Sequence, residues 1–207
     1  MTYVKTRRIP IGKRLFDIIF ASAVLLATLP VWVFVAIAIK LDDGGDVFFQ
    51  QPRVGRRGVV FHMWKFRTMV PQAQKQGGGL TRKSDSRITR VGEVLRKYKI
   101  DEVPQFINVL NGSMSVVGPR PEVPQFVVHY SADQKRVLNY VPGITDPASI
   151  AYRNESELLA SADEGEKLYI EEIMPEKIRI NLCYAAAATF WSDMKVILGT
   201  ALVAVRP

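Results

Sequence analysis

The longest apolar run, Ile18–Ile39, holds twenty-two residues without a charge, and Ser22 and Thr28 are its only hydroxyl-bearing members. As a helix it would extend roughly 33 Å at about 1.5 Å per residue, enough to cross bilayer hydrocarbon. Pro30 lies near its middle, where it removes one helical hydrogen bond and crowds the preceding turn, so the pattern predicts a kink or break. Three arrangements stay open on this pattern: a straight span, a re-entrant helix-break-helix, and a buried core helix. The segment LDDGGD, 41–46, then ends the run in a turn.

Val47–Gln51 and Val59–Phe66 are rich in β-branched and aromatic residues around Gly55–Gly58, which predicts a small hairpin. From Thr89, the apolar positions Val91, Val94, Leu95 and Tyr98 fall on one helical face. Val103, Phe106, Ile107 and Leu110 repeat that spacing, with Pro104 in the first turn and Asn111–Gly112 as a stop. Further on, the pattern predicts a helix over Pro124–Tyr140 with Phe126, Val127 and Tyr130 inward, and a turn at 141–145. Asp146–Tyr152 reads as irregular or a short helix. An acidic helical stretch over 156–173 and a helix restarting at Pro175 come next. The last helix, capped by Ser192 or Asp193, carries Met194, Ile197, Leu198, Ala201, Leu202 and Val205. It is too short to span comfortably and suits docking on a membrane surface or against the first apolar segment.

The net charge of +8 conceals an asymmetry. Residues 53–99 hold 13 Lys and Arg against Asp85 and Glu93, a net of +11, whereas residues 100–207 hold 9 against 14 acids, a net of −5. The apolar run is flanked on one side by Lys5, Arg7, Arg8, Lys13 and Arg14 and on the other by Arg53, Arg56, Arg57, Lys65 and Arg67. A straight span would export one of these clusters, against the tendency of basic flanks to stay in the cytoplasm. Such a block suits anionic headgroups, phosphorylated substrates or nucleic acid. The absence of a zinc or helix-turn-helix signature and of an aromatic-basic repeat argues against nucleic acid. The single cysteine, Cys183, excludes an internal disulfide framework and reads as a small buried apolar residue. His62 and His129 lie far apart, which disfavours a His/Cys-rich metal site. Residues 70–86, rich in glycine and lysine, read as an exposed mobile loop and carry no nucleotide-binding glycine fingerprint.

Candidate chemistry gathers in a few places. Asp101 and Glu102 begin the second of the two central helices. An acid there is first a helix cap; next to the basic block it also suits a magnesium ligand or a carboxylate nucleophile. Lys65 and Arg67 flank Phe66 and face one way if the strand continues, as a phosphate-directed patch or as solvated charges. Arg120, between Pro119 and Pro121, is held in stiff extended backbone, which pre-orders it either as a phosphate clamp or as the solvated arginine of a rigid turn. Arg153 is an isolated base. Arg14 and Asp17, three apart, share one face of the entering helix at headgroup depth.

These residues occur in an ordered set that resembles the bacterial sugar transferase family, the monotopic polyprenol-phosphate phosphoglycosyl transferases. The set runs over nearly the whole chain: KRLFD (13–17) before the proline-containing apolar segment, FFQQPRVG (48–55) and FHMWKFRTM (61–69). It continues through Arg96 with Asp101–Glu102, PQFINVLNGSMSVVGPRP (104–121), PGIT (142–145) and SDMKVILGTA (192–201). The resemblance implies that Asp101 is the nucleophile and also a Mg²⁺ ligand, that Glu102 handles protons or organises the site, and that Arg96 is the catalytic arginine upstream. Arg120, Lys65, Arg67 and Arg153 are the expected substrate-binding residues. It further implies transfer of a sugar 1-phosphate from a UDP-sugar to polyprenyl phosphate through an aspartyl intermediate, with release of UMP. The expected location is the cytoplasmic face of the bacterial inner membrane, among its lipids, with homo-oligomerisation left open. The expected fold is mostly α with a small β-hairpin: a basic lead and re-entrant membrane helix-break-helix over 1–41, a cytoplasmic catalytic domain over 42–190, and an amphipathic membrane-associated helix over 191–207. Two departures stand out: Leu29 precedes the hairpin proline where many members have serine, and Asp146–Ile150 replaces a common glycine-tryptophan.

Overall fold

The computed structural model describes residues 9–73, 85–161 and 164–205, so the basic lead before residue 9 and most of the glycine- and lysine-rich stretch lie outside them. A 33-residue helix, α1 (Ile11–Asp43), opens the fold and runs on through Pro30. The expected helix-break-helix is therefore one helical element. Just ahead of the proline, the Thr28 hydroxyl donates to the Val24 carbonyl at 2.8 Å and accepts from the Trp32 indole at 3.1 Å, which ties the two sides of the proline together through side chains. The helix ends on Gly44 at φ +70, whose N–H returns to the Lys40 carbonyl, a left-handed stop that glycine takes without a Cβ clash.

Both ends of α1 rest on the same protein body. Near the start, Asp17 is fully buried and accepts from the Ser115 hydroxyl at 2.8 Å and the Val116 N–H at 3.2 Å. Arg14 instead donates to the carbonyls of Val109 and Leu110, so these two residues do not form the headgroup-level pair expected from their spacing. Near the other end, Val35 and Ile39 pack with Phe66 and Leu95, and Trp32 meets Phe66 edge-on at 5.2 Å. Between these anchors Ile19, Leu26 and Leu29 are 53–68% exposed, and Val33 and Phe34 on the outer side of the second anchor are exposed too, an apolar surface that water disfavours and lipid does not.

The hairpin comprises β1 (Phe48–Val54) and β2 (Val60–Phe66), antiparallel, with Phe49 opposite Lys65. Then α2 (Arg90–Lys97) starts on a Thr89 cap whose hydroxyl accepts the Gly92 N–H. Leu95 faces the core, while Val94 and Tyr98 are exposed. Following it, α3 (Gln105–Leu110) docks on β2 through Asn108, whose amide accepts from the Trp64 N–H at 2.9 Å and donates to the His62 carbonyl at 2.8 Å. One buried side chain thereby satisfies two backbone groups of the strand, as a neighbouring strand would.

A second sheet pairs β3 (Ser115–Val117) in parallel with β4 (Gly143–Thr145). Gly118 and Gly143 permit the close approach; a Cβ on Gly143 would fall 2.1 Å from the Gly118 nitrogen. Between them, the single helix expected over 124–140 is split into α4 (Pro124–Val127) and a 3₁₀ turn at Gln134–Asn139. Ser131 and Gln134 cap each other's backbone N–H groups, which restarts the chain; Phe126 and Tyr130 are buried as expected.

Short helices α5 (Pro147–Ala151), α6 (Glu155–Ser161) and α7 (Gly165–Leu168) lead into α8 (Met174–Ala187). Asp146 caps α5 by accepting the Ser149 N–H at 3.0 Å. Pro175 lies in the first turn of α8, as expected, but no break precedes it: a π turn at Tyr169–Ile173 feeds directly into α8 and closes with the Met174 N–H on the Tyr169 carbonyl. Widening the turn accommodates a ring that lacks its own N–H. The last helix, α9 (Phe190–Val205), begins before the expected caps: Thr189 and Ser192 exchange side-chain and backbone hydrogen bonds at 2.8 and 3.2 Å. Asp193 is buried and accepts from Lys13 at 2.7 Å and Tyr184 at 2.6 Å. Trp191, Leu198 and Leu202 stay exposed. Cys183 is exposed rather than buried, since Ile178, Asn181 and Ala185 carry the inward face of α8.

Candidate active site

The Asp101–Glu102 pair sits in a 3₁₀ turn, Ile100–Glu102, ahead of α3 and not within its first turn. Lys99, at φ 57 and ψ 19, swings the chain out of α2 into this turn. A left-handed lysine is uncommon and mildly strained, and here it fixes the direction in which both acids leave the backbone. Neither acid caps the turn or α3. Asp101 is 6% exposed, and its Oδ1 has no hydrogen-bond partner. Buried carboxylate oxygens are ordinarily satisfied, so this one is held for something.

Glu102 is committed. Both Oε atoms face Arg120, with Nη1 to Oε2 at 3.2 Å and a shorter contact from Nη2 to Oε1. Lys65 reaches Oε1 at 3.5 Å. Arg120 Nη1 also donates to the Ile144 carbonyl at 3.2 Å, so the proline-flanked arginine is clamped between the turn and β4.

The two neighbouring acids diverge electrostatically. Burial pushes the Asp101 carboxyl above its ordinary value and adjacent Glu102 adds to the rise, against Lys65, Arg96 and Lys99. Burial would raise Glu102 as well, but the charges of Arg120 and Lys65 and the Arg120 hydrogen bond outweigh it and hold Glu102 well below the usual carboxylate range. Lys65 is lowered by burial and supported by both acids. Arg120 is raised, chiefly by Glu102. Glu102 thus fixes two cations beside a less committed carboxylate.

Arg96, on α2, donates through Nε to the Thr68 hydroxyl at 2.8 Å and feels Asp101 electrostatically. Gly92 allows that packing, because a Cβ there would stand 2.1 Å from the Thr68 carbonyl oxygen. Lys65 and Arg67 part company: β2 ends at Phe66, and Arg67 turns to Asp43 at the end of α1. Arg153 is exposed in the turn after α5 and makes no hydrogen bond or ion pair with the acid pair. Asp101, Glu102, Arg96, Lys65 and Arg120 therefore form one cluster, and Arg67 and Arg153 stand outside it. Lys99 and Arg53 were not singled out from the sequence. Arg53 is held by the Pro121 carbonyl at 3.0 Å and Glu122 at 3.4 Å; its only signal was membership of a crowded basic block.

A site with one free carboxylate oxygen among fixed cations suits attack on, or coordination of, an anionic phosphate. Among the described residues no group of three or more His, Cys, Asp or Glu side chains could hold a metal ion. The Asp101 Oδ1 is still a hard oxygen donor of the kind Mg²⁺ uses when substrate phosphates and water complete its shell.

The profile of the family described as bacterial sugar transferase matches residues 8–207. The chain is 35% identical over 195 residues to a UDP-glucose:undecaprenyl-phosphate glucose-1-phosphate transferase of Escherichia coli (strain K12), covering 91% of this chain and 39% of that protein. A galactosyl transferase of Streptococcus agalactiae is 39% identical over 201 residues, 92% of this chain and 41% of that protein. A putative undecaprenyl-phosphate N-acetylgalactosaminyl 1-phosphate transferase of Bacillus subtilis is 40% identical over 141 residues, 68% and 75% of the two chains. The chain spans about two fifths of the length of the first two of these relatives.

Proposed function

The chain belongs to the bacterial sugar transferase family, and from that premise we propose that it transfers a sugar 1-phosphate from a UDP-sugar to polyprenyl phosphate, releasing UMP. The observation that carries the reading is the Asp101 carboxylate, buried with Oδ1 unpartnered beside cations that Glu102 holds in place. In the first displacement an Asp101 oxygen attacks the sugar-bearing phosphorus; a phosphorus–oxygen bond to Asp101 forms as the bond to UMP breaks, and UMP leaves with the electron pair. In the second, an oxygen of polyprenyl phosphate attacks the same phosphorus and the aspartate leaves as a carboxylate. Two steps let a soluble donor and a lipid acceptor use one site in turn. Arg120, Lys65 and Arg96 neutralise the charge that gathers on the phosphate oxygens.

Glu102 is assigned to organisation rather than proton transfer, because a carboxylate held this far below its usual range is a poor proton carrier at neutral pH. Asp101 is the assigned Mg²⁺ ligand; when bound, the ion would offset the charge of the diphosphate. The membrane arrangement proposed with it is a re-entrant α1, supported by the contacts at its two ends. A straight 33-residue helix would measure about 50 Å, yet residues 14–17 and 32–43 both rest on the cytoplasmic body. In this reading α1 enters and leaves one leaflet of the inner membrane, and the exposed apolar side chains of α9 lie at the same surface.

The test is UMP release by purified protein given a UDP-sugar, Mg²⁺ and undecaprenyl phosphate. Release should require both substrates to complete turnover and should be lost in Asp101→Asn; unchanged release by that variant rejects the assignment.

A further inference from the structure

Next to the acid pair lies a cavity of about 300 Å³, at the small end of the range for small-molecule sites. Lys99 and Arg120 belong to its wall as well as to the surroundings of Asp101 and Glu102, so the cavity and the reaction centre share a border. Farther along the wall are Arg53, Tyr169, Lys177 and Asn181. Asn181 is only 5% exposed, and its Oδ1 makes no hydrogen bond. A buried amide oxygen without a partner is a costly thing to keep, and a ligand hydroxyl would satisfy it. Close by, Lys177 pairs with Glu155, which adds a donor and an acceptor to the same lining.

We infer that this cavity receives the sugar ring of the donor, with its phosphate at the Lys99–Arg120 border and Asn181 selecting among sugars through a ring hydroxyl. The inference rests on the reading of the site as one that takes a UDP-sugar. Two observations favour a sugar over the uracil base. A base calls for an open aromatic face to stack on, but the Tyr169 ring already has Phe126 at 4.9 Å and the Lys177 ammonium over it at 5.7 Å. The Tyr169 hydroxyl is likewise engaged, by Glu122. What the wall leaves free is the Asn181 Oδ1, an acceptor that a ring hydroxyl matches. Discrimination by such a group is strong, because a sugar that fails to reach it leaves the amide unpaired.

The experiment compares wild type with Asn181→Ala and Asn181→Asp in the detergent-solubilised full chain. It measures kcat/KM for UDP-glucose, UDP-galactose and their N-acetyl counterparts, and inhibition by UMP. The expected result is a change of about tenfold or more in the ratio between donors, with UMP inhibition unaltered. A purely structural loss would lower every donor alike and leave the ratios fixed. Equal losses for all donors together with weaker UMP inhibition would place the nucleotide in the cavity and overturn the inference; unchanged ratios with unchanged UMP inhibition would overturn it too. If wild type releases no UMP from any UDP-sugar, the transferase reading itself fails, a result distinct from either of these.

Discussion

The two adjacent acids should respond in opposite ways to loss of charge. Glu102 balances Arg120 and Lys65, with side chains of 17–24% relative exposure. At 3.5 Å and an effective dielectric of about 20, one such pair is worth about 5 kcal/mol before desolvation. Removing one member of a buried pair commonly costs about 3–5 kcal/mol, because the other charge is left without compensation. The residual solvent contact favours the lower end, about 3 kcal/mol, so Glu102→Gln should lower Tm by roughly 6–12 °C for a chain of this size. Asp101 has no such commitment. Burial raises its carboxyl, so the ionised form opposes folding, and Asp101→Asn should leave stability equal or higher while abolishing turnover. Thermal unfolding of both variants in the same detergent at pH 7.5 makes the comparison. Equal losses in the two, or a stable Glu102→Gln, would refute the division of roles.

The pH dependence follows from the same asymmetry. Burial raises the Asp101 carboxyl, so its titration in the metal-free protein, followed by carboxyl NMR, should be centred above the ordinary aspartate value of about 3.9, and added Mg²⁺ should bring it down. Because its folded value is raised, the stability gained in Asp101→Asn should be absent below that ordinary value, grow between it and the folded one, and level off above; a gain that shrinks with pH contradicts this. Gly92→Ala would drive a Cβ to 2.1 Å from the Thr68 carbonyl oxygen, displacing α2 and the Arg96–Thr68 bond, so soluble yield and activity should collapse. Gly12→Ala, with nothing within 4 Å, should express and function as wild type. In a Cys183→Ser background, thiols introduced at Gly12 and Asp46 should both be labelled from the cytoplasmic side only in membrane vesicles; labelling from opposite sides would make α1 a span.

The elements with local causes were readable in the sequence. Glycines at 55 and 58 and the β-branched runs around them announced the hairpin, and Thr89 with its apolar face announced α2. The acid pair was located by its place after the basic block. What the sequence hid was set by distant partners. Asp17 meets Ser115 and Val116, nearly a hundred positions away, a link that no periodicity encodes. Lys65 and Arg67 share a parity in the strand pattern, but β2 stops between them and each finds its own acid. The acids looked like caps because Pro104 looked like a first-turn residue, whereas the left-handed Lys99 converts their segment into a separate turn. Asn181 lies in an apolar helix pattern where its unpaired oxygen has no sequence signature.

The most direct test is mass spectrometry of the protein quenched after incubation with UDP-sugar and Mg²⁺ but no lipid acceptor. The account predicts UMP release of up to one equivalent and a sugar-phosphate adduct on the peptide containing Asp101, discharged when polyprenyl phosphate is added. Turnover in the presence of acceptor with no adduct at any quench time, or an adduct on another residue, would contradict it.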